Sequence, residues 1–235
     1  VKIALFGYGK MGRMIDEISL ERGHQIVARI DEKPGEIPYG EMEVAIDFSV
    51  PESAVTNIKG CLSKGVPVIS GTTGWLERFG EVSDHCEKVK GAFLYASNFS
   101  LGVNIFFELN RILASMVDKT GEYEVGIDET HHIHKLDTPS GTAITLAEGI
   151  IENSGYKKWA LDKEGPETIP IYSHREGEVP GTHVITYTGG VDEIRISHEA
   201  FSRKGFALGA VVAAEWILGK QGVFSMKDVL NLGRK

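Results

Sequence analysis

Val1-Lys2-Ile3-Ala4-Leu5-Phe6-Gly7-Tyr8-Gly9-Lys10-Met11-Gly12 begins with an apolar run of strand length and closes on three spaced glycines. Met14, Ile15, Ile18 and Leu20 then recur at roughly helical spacing, and Gly23 supplies a helix stop. Gln25 to Ile30 reads as the next strand, ending at the acid Asp31. A lone G-x-G-x-x-G carries little information. Between a strand and a helix, with an acid about 20 residues further on, it predicts a dinucleotide-binding βαβ unit. Gly7 then allows the tight turn, Gly9 the close approach of a pyrophosphate, and Gly12 the packing of helix on strand. Asp31 is placed to accept hydrogen bonds from the adenosine ribose. The rival reading, glycines as turn punctuation and Asp31 as a solvated acid, leaves the whole pattern unexplained. An acid here favours the free 2′-hydroxyl of NADH, while Lys33 is close enough in sequence to help a 2′-phosphate. NADH is favoured, with use of NADPH open.

The alternation continues downstream. Residues 32–43 read as a polar loop, and Val44 to Phe48 as a third strand. Ser49-Val50-Pro51-Glu52 has capping-box spacing, which predicts a helix to about Lys64, stopped by Gly65. Val66 to Ser70 is a fourth strand, followed by Gly71-Thr72-Thr73-Gly74. Ligands of doubly wound sheets lie beyond the carboxyl ends of the strands, so Gly71, Thr72 and Thr73 are candidates for cofactor contact; the alternative is an ordinary turn. Trp75 to Lys90 reads as helix and Ala92 to Ala96 as a fifth strand. Such alternation predicts an α/β fold with a parallel sheet covered on both faces.

The chain of 235 residues is 42% hydrophobic and 25% charged, which fits one large or two small globular domains. Its net charge of −8 argues against a nucleic-acid partner, though a local basic cluster can still take an acidic ligand. Cys61 and Cys86 lack metal-type spacing and read as free thiols of a reducing compartment. No apolar run approaches the ~20 residues of a membrane span. The strand-like start leaves no room for a signal peptide, so a cytoplasmic location is expected.

After Ala96 the pattern shifts. A helix is expected from Val103 to about Val117, with Ile105, Leu109, Ile112, Leu113 and Met116 apolar, and a domain boundary near Asn98. Tyr123 to Thr130 reads as a strand leading into Glu129-Thr130-His131-His132-Ile133-His134-Lys135-Leu136-Asp137-Thr138-Pro139-Ser140-Gly141-Thr142-Ala143, a loop feeding a helix from Ile144 to Ile151. A helix start offers free N–H groups and partial positive charge to anions. Ile169 to His174, Thr182 to Thr188 and Glu193 to Ala200 read as neighbouring strands of an antiparallel sheet, with a hairpin at Thr188 to Asp192. One apolar face of that sheet is expected to need a subunit interface to cover it. Phe206 to Leu218 is an apolar helix, and Ser225 to Asp228 starts a short terminal one.

A dinucleotide fold makes hydride transfer the leading chemistry. The loop supplies what such a reaction needs beside the cofactor: histidines that can move a proton, a lysine, and N–H groups of Gly141 and Thr142 for a carboxylate. It suits a dicarboxylate. As a metal site the histidines lack a nearby cysteine, and Lys135 would repel a cation, so no metal is expected. At least one histidine is expected to be structural, and Asp137 to orient its neighbours or cap a turn.

Glu129-x-His131-His132-x-x-Lys135-x-Asp137-x-Pro139-Ser140-Gly141-Thr142-Ala143 resembles the signature of the 4-hydroxy-tetrahydrodipicolinate reductase (dihydrodipicolinate reductase) family. Gly7 to Arg13, Gly71 to Gly74, Ser97 to Asn104, Ser202-Arg203 and Phe206-Ala207 also resemble family segments, in the family's order. The resemblance implies NADH- or NADPH-dependent reduction of a cyclic dicarboxylate, with loss of water from the 4-hydroxy substrate, in lysine and diaminopimelate biosynthesis. It implies His131 as the catalytic histidine and Lys135 as proton donor or substrate polariser, with His132, Gly141 and Thr142 on substrate carboxylates. Cofactor contacts would fall on Gly7, Tyr8, Gly9, Lys10, Met11 and Gly12, on Asp31, on Gly71, Thr72 and Thr73, and on Ala96, Ser97, Asn98 and Phe99. The implied fold is a Rossmann-like domain (1–98 and 204–235) plus an α/β substrate-binding and oligomerisation domain (99–203) with a mixed, largely antiparallel sheet. A homotetramer whose domains close on a hinge around the ligands is also implied. His134 is left without a task and reads as structural. Glu32 after Asp31 departs from members with arginine there and weakens a preference for NADPH. Two other classes remain: a reductase or dehydrogenase of another small acid, such as an aspartate-type substrate, and a non-catalytic NAD(P)-binding sensor.

Overall fold

In the computed structural model, which describes residues 1–31 and 37–232, β1 (Lys2–Phe6) buries Ile3, Ala4, Leu5 and Phe6. A strand apolar on both faces belongs inside a parallel sheet covered on both sides. α1 (Lys10–Glu21) turns Ile15 and Ile18 inward and leaves Leu20 exposed. β2 (Gln25–Ile30) and β3 (Val44–Asp47) flank β1, both parallel to it. Lys33 and Glu32 lie outside the described residues.

α2 (Pro51–Ser63) follows directly. Its N-cap is Val50, with Pro51 in the first turn and no side-chain cap, so the expected Ser49–Glu52 capping box does not form. Proline fits the first helical turn, where its missing N–H is not needed, and this moves the start one residue past Ser49. Ser49 instead donates its hydroxyl to Asp47 Oδ1 at 2.7 Å. β4 (Val68–Ser70), a 3-10 turn at Leu76–Arg78, α3 (Phe79–Lys88) and β5 (Ala92–Tyr95) complete this stretch. The stretch read as helix from Trp75 thus begins as the tighter turn, and Trp75 itself is buried.

α4 (Leu101–Asp118), β6 (Tyr123–His131), α5 (Gly141–Ile151), β7 (Lys158–Leu161), β8 (Thr168–Arg175), β9 (Thr182–Gly189) and β10 (Glu193–Glu199) follow. Then come α6 (Lys204–Ile217), β11 (Gly222–Phe224) and the short α7 (Met226–Val229). The chain divides into two compact units, Val1–Asn104 with Lys204–Lys235, and Ile105–Arg203.

The first unit holds a 6-stranded sheet of order β11-β5-β4-β3-β1-β2, parallel throughout. Alternation along β1 feeds two cores. Ile3 and Leu5 face α1 and α6 with Ile15 and Val211, and Ala4 and Phe6 face α2 and α3 with Ile58 and Val82. Cys61 and Cys86 are free and buried. Strand order reverses between β3 and β1, the switch point where such sheets bind ligands.

The second unit holds a 5-stranded sheet of order β10-β9-β6-β8-β7. β6–β9 and β9–β10 are antiparallel, whereas β6–β8 and β7–β8 are parallel. The expectation of a mainly antiparallel sheet therefore holds for one side of β6 only. β7 has no alternating apolar pattern, and it forms by lying against β8. Val125, Ile127, Ile169, Ile171, Ile185 and Tyr187 pack with Phe106 and Ala114 of α4 and Leu146 and Ile150 of α5. The apolar face is thus covered within the unit, not left for a subunit interface. On α4 the order is the reverse of that expected from its apolar stripe: Ile105, Leu109, Ile112 and Met116 are exposed.

Candidate functional site

Strand alternation builds the centre of the second unit. Val125, Ile127, Glu129 and His131 share the inner face of β6, so the apolar row ends in two polar side chains. The register puts Ser173 of β8 and His183 of β9 beside Glu129, and Arg175 beside His131. The strand expected to end at Thr130 thus runs on to His131, which is a strand residue and not a loop one.

Glu129 is fully buried. Its two oxygens accept from the Ser140 N–H at 3.0 and 3.1 Å, and Oε1 accepts from Ser173 Oγ at 2.7 Å. His131 Nδ1, His183 Nε2 and Arg175 stand at 3.5–3.6 Å from it. Burial raises its pKa, but His183, Ser140 and Ser173 more than reverse that and hold the carboxyl well below its ordinary value. Ser140 caps α5: its Oγ accepts from the Ala143 N–H at 3.2 Å and meets His183 Nε2 at 3.2 Å. Glu129 thus fixes the start of α5. The N–H groups of Gly141 and Thr142 have no partner among the described residues and remain available to an anion.

His131 is buried and its pKa is lowered to about 4, by burial first and then by the charges of His183, Lys135 and Arg175. It is neutral at pH 7. Its Nδ1 makes no hydrogen bond among the described residues, and neither does His132 Nδ1. Lys135 donates to both Asp137 oxygens at 2.8 Å. Arg175 Nη2 donates at 2.7 Å to the Asp137 carbonyl and to Thr138 Oγ1, which pins the loop just before the cis Thr138–Pro139 peptide. His134 pairs with Glu178 at 3.4 Å, both exposed, so it is a surface residue and not a packing one.

Donor atoms of Glu129, His131 and His183 lie within 4.8 Å of one another, a spacing open to a metal ion. The chemistry of the set argues against one. Both Glu129 oxygens already accept hydrogen bonds, and Arg175 and Lys135 bring positive charge to the same place.

Ser173, Arg175 and His183 escaped the sequence reading. The signal was available in the alternation: Ile169, Ile171, Ser173, Arg175 on one strand and His183, Ile185, Tyr187 on the next continue apolar rows into polar ends.

In the first unit, a cavity of about 430 Å³ lies at the switch point, lined by Gly7, Tyr8, Gly9, Ile30, Asp31, Phe48 and residues of α2. A Cβ on Gly7 would stand 2.2 Å from the Phe48 carbonyl oxygen, and one on Gly71 would stand 2.3 Å from the Phe48 ring. Both positions admit only glycine for that reason. A Cβ on Gly12 would stand 2.2 Å from the Gly7 carbonyl oxygen, while Gly9 faces open space. Lys10 begins α1 exposed, and Met11 packs against the core beside Tyr8. Tyr8 donates to Asp16 Oδ2 at 2.6 Å, and Arg29 is paired with the same carboxylate. Thr72 is buried with its hydroxyl on Asp47, so only its backbone faces outward, whereas Thr73 is exposed. Ala96 and Asn98 are half-buried and Ser97 exposed; Asn98 Oδ1 accepts from the Ser100 N–H, and Phe99 is a core residue 5.6 Å from the Phe48 ring. An open switch-point cavity with a bare glycine at the mouth and a carboxylate at the β2 end fits a dinucleotide.

A cavity that fits a dinucleotide in one unit, and a His–Lys cluster beside unpartnered helix-start N–H groups in the other, are parts expected of a pyridine-nucleotide-dependent oxidoreductase of a small molecule. Residues 1–99 match the family model "Dihydrodipicolinate reductase, N-terminus" and residues 102–230 match "Dihydrodipicolinate reductase, C-terminus". The chain belongs to the dihydrodipicolinate reductase family.

A protein of Christiangramia forsetii named 4-hydroxy-tetrahydrodipicolinate reductase is 53% identical over 234 residues, covering 98% of each chain. A protein of the same name from Methanoculleus marisnigri is 34% identical, covering 99% of this chain and 100% of its own. The structure "Dipicolinate bound Dihydrodipicolinate reductase" from Paenisporosarcina sp. TG-14 superposes with a TM-score of 0.80 at 22% identity, covering 96% of this chain and 97% of that one. That likeness establishes the shared fold. Among the described residues, no helix is long and apolar enough to cross a membrane.

Proposed function

We propose that this chain performs its family's reaction, NAD(P)H-dependent reduction of 4-hydroxy-tetrahydrodipicolinate to tetrahydrodipicolinate with loss of water, through the cluster at the end of β6. The observation that carries this reading is the convergence of His131, Lys135 and the unpaired Gly141 and Thr142 N–H groups on one short segment fixed by Glu129. The bound nicotinamide supplies a hydride. The Gly141 and Thr142 N–H groups with His132 hold one substrate carboxylate, and Lys135 polarises the ring or gives up a proton. His131, neutral in the free protein, becomes a proton donor once the dianion settles beside it, because that charge favours the imidazolium against the burial and the neighbouring charges that hold its pKa down.

Gly7 to Gly12, Gly71 to Thr73 and Ala96 to Phe99 are the residues that would hold the cofactor, and Asp31 would accept from its adenosine ribose. NADH is the preferred form. Asp31 would repel a 2′-phosphate, and Arg29, two residues before it, already has its guanidinium on Asp16. Comparing kcat/KM for NADH and NADPH tests this; a higher value with NADPH contradicts it. A homotetramer is the assembly the family implies. The exposed Ile105, Leu109, Ile112 and Met116 of α4 offer it an apolar surface, and light scattering of the purified protein reads its mass.

A further inference from the structure

Asp47 ends β3 fully buried, and the reaction chemistry does not use it. Its carboxylate accepts four side-chain hydrogen bonds from three separate segments. Ser49 Oγ and Asn57 Nδ2 reach Oδ1 at 2.7 and 3.2 Å, from the turn after β3 and from α2. Ser70 Oγ and Thr72 Oγ1 reach Oδ2 at 3.0 and 2.8 Å, from the end of β4 and the loop beyond it. The main chain repeats the link, since the Gly71 N–H donates to the Asp47 carbonyl at 2.9 Å. An isolated carboxylate without these donors would be costly in this place.

The two segments so joined carry Phe48 and Gly71-Thr72-Thr73. Phe48 is wedged between Gly7 and Gly71, with no room for a Cβ on either. A shift of the β4 loop would therefore release Phe48, and Phe48 lines the same cavity as Gly7, Tyr8 and Asp31.

We propose that Asp47 is a positioning residue for the dinucleotide: it ties the loop after β3 to the loop after β4 and so fixes the walls of the cofactor cavity. This rests on the assignment of that cavity to the cofactor. Asp47→Asn keeps the shape but cannot accept all four hydrogen bonds, and Thr72→Val cuts the tether on the β4 loop alone. Val82→Ala, in the buried core under α3 and outside the cavity lining, loses packing without touching the carboxylate or either loop.

The experiment measures KM for NADH, KM for the dicarboxylate, kcat and the unfolding midpoint of all four proteins. The expected result is a rise of about tenfold in KM for NADH in Asp47→Asn and Thr72→Val, with kcat and the dicarboxylate KM within about twofold of wild type. Val82→Ala lowers the unfolding midpoint with little change in KM for NADH. Should Asp47→Asn and Thr72→Val lose stability yet keep the wild-type KM for NADH, the carboxylate serves folding only and the proposal is wrong. A wild-type protein that fails to bind NADH or NADPH would instead remove the cofactor assignment itself.

Discussion

Lys135 Nζ stands 2.8 Å from each carboxylate oxygen of Asp137, two residues along the same loop. The lysine assigned to the chemistry is thus held by an internal carboxylate, in the way a substrate carboxylate would hold it. Burial would raise the Asp137 pKa, and the Lys135 ammonium outweighs it and keeps the carboxyl below its ordinary value. The loop path does not depend on that ion pair, because Arg175 holds the Asp137 carbonyl. Asp137→Asn should therefore free Lys135 without unfolding the loop. A pair this exposed is worth up to about 1 kcal/mol, so KM for the dicarboxylate should fall by about two- to fivefold. Steady-state kinetics check this, and an increased KM would mean that Asp137 positions Lys135 productively.

Glu129 is the buried anion on which the second unit's site is hung. Glu129→Ala leaves the Ser140 N–H and the Ser173 hydroxyl unpaired and Arg175 without its counter-charge. Loss of one partner from a buried charged network costs about 3–5 kcal/mol. Chemical denaturation should show a loss of that order. Glu129→Gln, with the shape kept, should retain more stability than the alanine variant but lose activity as the start of α5 drifts.

The pH dependence of stability has a defined sign at His131. Its folded pKa, about 4, lies below its ordinary value of 6.5, so the unfolded chain takes up the proton first. The contribution is fully present above pH 6.5 and is lost as pH falls through about 4. Across that window it amounts to up to about 3 kcal/mol. Unfolding midpoints measured from pH 7.5 to 4.5 should fall more steeply for wild type than for His131→Asn; parallel curves would contradict the assignment.

Two glycines of α6 should behave in opposite ways. A Cβ on Gly209 would stand 1.7 Å from the Phe99 carbonyl oxygen, whereas one on Gly205 meets only Ser100 Oγ at 3.8 Å. Gly209→Ala should cost at least about 1–3 kcal/mol through overpacking against main chain. Gly205→Ala should be neutral or add up to about 1 kcal/mol of helix propensity. Calorimetry on the two variants tests the contrast.

The first unit was the more legible in the sequence because its signals are local. The glycine loop, the helix stop at Gly23 and the β2 run from Gln25 to Ile30 each depend on neighbouring residues. The misread start of α2 came from Pro51, which takes the first helical turn and moves the cap to Val50, while the Ser49 hydroxyl turns back to Asp47 two residues earlier. The second unit depends on register. Nothing near His183 or Arg175 in the sequence ties them to Glu129; strand pairing does. β11 likewise escaped notice because Gly222–Phe224 is a strand only by pairing with β5. The apolar stripe of α4 was legible as helix, but the side it turns to the core is decided by Phe106, Ala114 and Val117.

The most direct test of the central claim follows NADH oxidation with 4-hydroxy-tetrahydrodipicolinate made in place by its synthase, for wild type and Lys135→Ala, beside NADH binding to both. The account predicts rapid oxidation by wild type, a fall of about 100-fold or more in the variant, and unchanged NADH affinity. Wild-type turnover in Lys135→Ala, or no oxidation by a wild-type protein that binds NADH, would contradict it.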